Sequence, residues 1–304
     1  MKKVLALGSL VALVLFTSGC VEGGFGGLMG VGVEEKEQPD DLLQVKNENI
    51  DPPELSAGDK FEYSFELVNL FDVESAREVD VNLYNTGRCE LTDDKGSGRD
   101  LGTVYPEATR VLEWDLEAPS NNELRSMSHT CDLMYQVDYN FNASTTADLY
   151  IMDSETDRNS DVAQVSPTTR KSRGPLKIDV EFGGTQPFRE NSLVSFQVAL
   201  RNAGAGELEN LDYSDINIEV EGLDGFNKGD DNNGDGNCQP PAGDWSDDAR
   251  FHEGQTSPIL CDFQQGSIDG PIKTLTVKAE VNDYTYTLYG KNSVTVEPIR
   301  SPVS

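Results

Sequence analysis

The chain has 304 residues, 54 of them Asp or Glu against 24 Lys or Arg, for a formal net charge of −30 at pH 7. So acidic a chain has no basic face to release counterions from a phosphate backbone, which excludes nucleic acid and anionic lipid head groups as partners. Its charge favours solubility, and a high-salt habitat would screen the self-repulsion.

The chain opens on Lys2 and Lys3, followed by Val4 to Phe16, an uncharged apolar run of thirteen residues. That is the plan of a signal peptide, with a hydrophobic stretch too short to cross a bilayer as a helix. Thr17-Ser18-Gly19-Cys20 then brings small residues up to a cysteine. This resembles the lipobox of prokaryotic lipoproteins, which implies that residues 1–19 are removed and that Cys20 becomes the lipid-bearing first residue. Thr17 departs from that pattern, since a large aliphatic is usual there, so a plain signal peptide and an uncleaved anchor helix stand beside it. One acyl chain holds a protein only marginally, so the lipoprotein reading needs two or more. Residues 20–41 read as a tether, glycine-rich in GGFGGLMGVGV and acidic in EEKEQPDD, without a helical or strand period.

A period of two begins beyond residue 42. Phe61, Tyr63, Phe65 and Leu67 alternate with Glu62, Ser64 and Glu66, the signature of a half-buried strand. Val79, Val81 and Leu83 follow, then Val111 to Leu116 with Trp114, then alternate positions from Cys131 to Phe141, then Ala147, Leu149 and Ile151. Turn signals at Ala57-Gly58-Asp59 and Asn85-Thr86-Gly87 separate the runs. Short strands with hardly a helix predict an antiparallel β-sandwich over 42–153.

Residues 154–174 are polar and patternless and carry the basic cluster Arg170, Lys171 and Arg173. They predict an interdomain linker, with the cluster as a docking patch for the acidic neighbour domain. The second half then repeats the first in outline. Leu193 to Asn202 follows the pattern of Lys60 to Asn69, and Pro258 to Phe263 that of Arg110 to Leu116, which puts Cys261 in the place of Trp114. Leu275 to Val281, Tyr284 to Leu288 and Val294 to Val296 complete a second predicted sandwich over 175–298, with a tail at 299–304. The whole is expected to be all-β, two tandem sandwiches behind an anchor and tether.

Cys89, Cys131, Cys238 and Cys261 remain once Cys20 is set aside, an even number in a chain that reads as exported, so disulfides are the default. Pairing within each half gives Cys89–Cys131 and Cys238–Cys261; two other connectivities remain open.

A polar or glycine turn, an alternating strand ending in Asn, and then a V-x-V-x-L strand resemble the immunoglobulin-like modules of archaeal and bacterial surface proteins, the CARDB-type and S-layer-associated domains. The stretch from Tyr284-Thr285-Tyr286 to Val294-Thr295-Val296 is similar to their last hairpin. The resemblance implies adhesion, spacing or protein binding, with no catalytic residues to carry over.

Candidate chemistry is sparse. Asp231-Asn232-Asn233-Gly234-Asp235-Gly236 fits the start of a calcium loop, with Asp231, Asn233 and Asp235 as oxygen ligands and a glycine for the sharp turn. The twelfth position is Ala242 rather than the bidentate glutamate of an EF-hand. A solvated acidic loop is the competing reading. Asn142-Ala143-Ser144 is an N-glycosylation sequon. His129 and His252 fall in different halves with no accompanying catalytic motif. Tyr135, Tyr139, Tyr284 and Tyr286 offer either a stacking face for glycans or core residues.

These features point to a membrane-anchored, non-enzymatic protein of the cell surface. Its expected partners are the membrane, through the lipid, and other surface or envelope proteins; no cofactor is expected beyond calcium. An accessory docking subunit of a pilus, secretion or transport assembly is the alternative, and a hydrolase a remote one.

Overall fold

The computed structural model describes residues 40–159, 165–209, 211–223, 226, 236–241 and 244–299. The fold is all-β. Its first half contains β1 (Leu43–Asp51), β2 (Leu55–Ser56), β3 (Lys60–Asn69), β4 (Ala76–Asn85), β5 (Glu90–Leu91), β6 (Gly98–Val104), β7 (Thr109–Glu117), the short helix α1 (Asn121–Leu124) and β8 (His129–Met152). Helix α2 (Ser154–Asn159) and β9 (Thr169–Lys171) follow. The second half contains β10 (Leu176–Phe182), β11 (Phe188–Arg189), β12 (Leu193–Asn202), β13 (Glu207–Glu209), β14 (Ile216–Glu221), β15 (Gly236–Gln239), β16 (Ile259–Gln264) and β17 (Ile272–Glu297).

Alternation in the sequence becomes alternation in burial. Along β3 the side chains of Phe61, Tyr63, Phe65 and Leu67 are buried while those between them are only partly so, because successive strand residues face opposite sides. Trp114 on β7 is fully buried and packs on Tyr63 and Phe65, with ring centroids 6.0 and 5.3 Å away. Burying a large apolar side chain of this kind contributes about 1.5–3 kcal/mol. The same arithmetic holds in β12, where Phe196 takes the place of Tyr63 and lies opposite Cys261, as Tyr63 lies opposite Trp114.

Each half has its own four-stranded outer sheet, β1-β3-β7-β5 in the first and β10-β12-β16-β15 in the second. The facing layer is shared. The long strands β8 and β17, 24 and 26 residues, pair antiparallel from His129↔Val296 to Met152↔Ile272 with a single bulge between Val281 and Tyr284. The first part of β8 lies between β4 and the far end of β17, opposite β1-β3-β7-β5. The second part of β8 lies beside the near end of β17, which pairs β14 on its other side. There it faces the other outer sheet, and Thr145 Oγ1 donates to the Ile178 carbonyl at 2.7 Å. Each half thus lends the second part of its long strand to the other half's sandwich, the two strands crossing from one sandwich to the other near the bulge.

Two expectations change accordingly. Residues 154–174 do not run as a plain linker: Ser154–Asn159 is helical and β9 pairs with β8. Tyr284 to Val296 is one strand rather than a hairpin. The two sandwiches share one sheet and one continuous hydrophobic core.

Candidate functional site

The crossing forms a waist knit on both faces. On the inside, Tyr139 meets Tyr286 and Phe141 meets Tyr284, edge to face, at 5.6 and 5.8 Å. The Tyr286 hydroxyl donates to Asp41 Oδ1 at 3.1 Å and accepts from the Gly206 amide at 2.7 Å. Asp41 also accepts from the Ala205 amide. Gly174, at φ +122°, gives Phe141 its room: a Cβ there would stand 2.1 Å from Phe141 Cε1. On the outside, Asn142 Oδ1 accepts from Arg77 at 2.6 Å and from the Asp283 amide at 2.9 Å, and Arg77 pairs with Asp283 at 3.1 Å. Both partners of that pair are solvated, so it contributes little, about 0–1 kcal/mol.

The sequence-predicted sites scatter over this frame. Tyr139 and Tyr286 are fully buried and Tyr135 and Tyr284 nearly so, so these tyrosines build the core rather than a stacking face for glycans. Burial is also the first cause that raises the Tyr139 and Tyr284 hydroxyls well above their ordinary pKa. The exposed Asn142 uses its side-chain oxygen at the crossing, and its amide nitrogen makes no hydrogen bond among the described residues. His129 opens β8 in the first half, while His252 sits in a tight turn with Gln255 in the second. Lys171 pairs with Asp179, and Arg173 reaches back to Asp72 at 2.7 Å. Most of the basic cluster is therefore spent on internal contacts. Cys20 and the calcium-like Asp231, Asn233 and Asp235 lie outside the described residues, and among the described ones no cluster of His, Cys, Asp or Glu has metal-binding geometry.

The disulfides differ in role. Cys89–Cys131 (S–S 2.15 Å) ties the loop before β5 to β8, across the two layers. Cys238–Cys261 (S–S 2.04 Å) links directly opposed residues of β15 and β16 within one sheet.

A groove of about 630 Å³ opens on the flank of the first sandwich, between β1 and the far end of β17. A bulge in β1 between Lys46 and Asn49, with Asn47 at φ 51°, turns Glu48 toward it. The Glu48 carboxylate accepts from the Tyr63 hydroxyl at 2.9 Å and the Tyr135 hydroxyl at 3.2 Å, one from each layer. Burial, then the Glu48 charge, pushes both hydroxyls far up in pKa, so they remain donors. Sequence reading did not reach this clamp, because a bulge and a cross-layer contact leave no period to detect. A second groove, about 460 Å³, includes the outer row Glu181, Gln197, Leu260 and Gln239 of the second half. No family model matches the chain, and no curated protein matches it.

Proposed function

We propose that this chain is a membrane-anchored cell-surface protein whose β-sandwich body serves adhesion, spacing or the binding of other envelope proteins. The exchange of β8 and β17 carries the reading. A ladder of 23 residue pairs sets the two sandwiches in one orientation, as a spacer or presenting scaffold requires and a pair of swivelling modules does not provide. Two disulfides suit an oxidising compartment outside the cytoplasm. The lipobox-like stretch ending at Cys20 supplies the anchor. The docking-subunit alternative is weakened where it relied on the basic cluster, since Lys171 and Arg173 already have acidic partners within the chain.

The test is protease shaving of intact source cells, followed by mass spectrometry, with Cys20→Ser beside the parent chain. Peptides from residues 40–299 should be released without lysis, and the variant should move into the medium or lose acylation. Release only after lysis would contradict the surface assignment. Cross-linking on the same cells separates the alternatives, because an assembly subunit gives stoichiometric links to a fixed set of machinery proteins.

A further inference from the structure

The two sandwiches differ on one flank. In the second, the side of β8 away from β17 is closed by the chain itself. β9 pairs Thr145 to Ala147, the Asp148 amide donates to the Thr168 carbonyl at 2.9 Å, and the Tyr150 amide donates to Gln186 Oε1 at 3.1 Å. Phe188 and Arg189 of β11 then cover Ile151 and Met152. In the first sandwich the strands that pair with the corresponding side of β17 among the described residues lie at its ends, β13 at Thr285 to Thr287 and β2 at Val296 and Glu297. From Gly290 to Thr295 no strand pairs with it on that side among the described residues.

The backbone direction there can be read. The Glu297 carbonyl accepts from Ala57 of the β2 side, and the Ser293 amide is taken by its neighbour's Asn292 Oδ1 at 2.8 Å. Alternate residues of a strand address alternate neighbours, so Lys291 and Ser293, and the amide of Thr295, aim their backbone polar groups at the open flank, while the parallel register with β2 occupies the Thr295 carbonyl. Such an edge is a template for strand pairing, and folded proteins ordinarily cover or blunt it. The groove beside it is lined by Glu48, Glu54 and Glu297, with Asn49 and Asn292 and, among the described residues, no Lys or Arg.

We infer that this flank is a docking site for an extended segment of a partner protein, added as a strand along β17 between β13 and β2 and carrying Lys or Arg at the positions facing Glu48. Main-chain hydrogen bonds supply the attachment and alternate side chains the selectivity. The open run of six residues has a length of about 20 Å. The two Glu48 oxygens, each already accepting one tyrosine hydroxyl, keep lone pairs for a cationic donor. This deepens the protein-binding reading above and rests on it, but its test is made in solution and is independent of where the protein resides.

The test uses the full chain, residue-resolved amide exchange, and a blocked octapeptide alternating lysine and threonine, with its glutamate-for-lysine counterpart as control. In the free chain, Lys291 and Thr295 should exchange at least about tenfold faster than Asp148 and Tyr150, their covered analogues in the second sandwich. The lysine peptide should slow them and the glutamate peptide should not. Ser293→Pro removes an amide that β8 does not use, so the fold should survive while peptide binding is lost. Glu48→Gln should weaken the lysine peptide roughly three- to tenfold. The inference is overturned if Lys291 and Thr295 are already as slow as Asp148 and Tyr150, if the lysine peptide leaves them unchanged, if the glutamate peptide binds equally, or if Ser293→Pro binds as the parent does.

Discussion

The two sandwiches share a strand plan yet are held and finished differently. The first has a tryptophan, Trp114, at the centre of its outer sheet and a disulfide that crosses between layers. The second has Cys261 at the equivalent place, opposite Phe196, and its disulfide stays within one sheet. One position thus supplies bulk in one half and a covalent link in the other. Their outer faces diverge as well. Asp51, Glu62 and Asp115 stand directly opposite one another across β1, β3 and β7, whereas the matching face of the second half sets Glu181, Gln197, Leu260 and Gln239 in a row. A repeated framework thus leaves its surface and flanks free to specialise while the exchanged strands stay common to both.

The largest test of the comparison is Trp114→Ala, which removes the bulk on which Tyr63 and Phe65 pack. A loss of about 3–5 kcal/mol is expected by denaturant melting, with the second half failing together with the first because they share a core. Next come the disulfides. Replacing both cysteines of Cys89–Cys131 by serine should cost about 4 kcal/mol, and both of Cys238–Cys261 about 3 kcal/mol, as chain entropy scales with separations of 42 and 23 residues. Equal and negligible losses would mean that the layers are held without them. Gly174→Ala forces Phe141 to move at the waist and should cost about 1–3 kcal/mol.

The smallest effects concern charge. Burial, then Glu113, Asp115 and Asp51, raise Glu62 above its usual carboxylate range. The folded chain therefore holds that proton more tightly than the unfolded one, so this contribution to stability falls as pH rises through the window and returns on acidification. Hydrogen bonds from Ser120, Thr156, Ser154 and Ser246 lower Glu123, Asp153, Glu190 and Asp244 instead. Their contribution is present above the usual range and is lost below it. On these groups alone, stability should fall on acidification through the usual carboxylate range, as the lowered carboxylates lose their hydrogen bonds, and should ease on the alkaline side as Glu62 ionises. Glu62→Gln should stabilise by roughly 0.2–1 kcal/mol near neutral pH. A second carboxylate row, Asp100, Asp80 and Asp138 across β6, β4 and β8, adds to a repulsion that salt screens. The melting temperature should rise with salt toward the molar range, and a salt-independent midpoint would contradict this.

The strands were legible because half-buried sheets write their period into the sequence, and the Phe61-to-Leu67 run is the plainest case. The exchange was partly legible as well. From Cys131 to Ile151 the inward positions keep one parity, with neither Gly nor Pro between His129 and Met152, which is the mark of one strand rather than two. In β17 the parity shifts between Val281 and Tyr284, where the bulge lies. What no local pattern states is the partner of each long strand, since antiparallel pairing between residues 129–152 and 272–297 is set by the fold as a whole. The same holds for the clamp beside the groove, where Glu48 and the two tyrosines that donate to it, Tyr63 and Tyr135, come from three strands.

The most direct test of the interlocked body is a single cut between Asn159 and Val165, made through a protease site placed there in the full chain. Each disulfide lies within one half, so nothing covalent joins the fragments after cleavage. The expected result is one native species of unchanged mass that separates into two fragments when unfolded. Two folded fragments that part on a native column would contradict the strand exchange and restore a pair of independent modules.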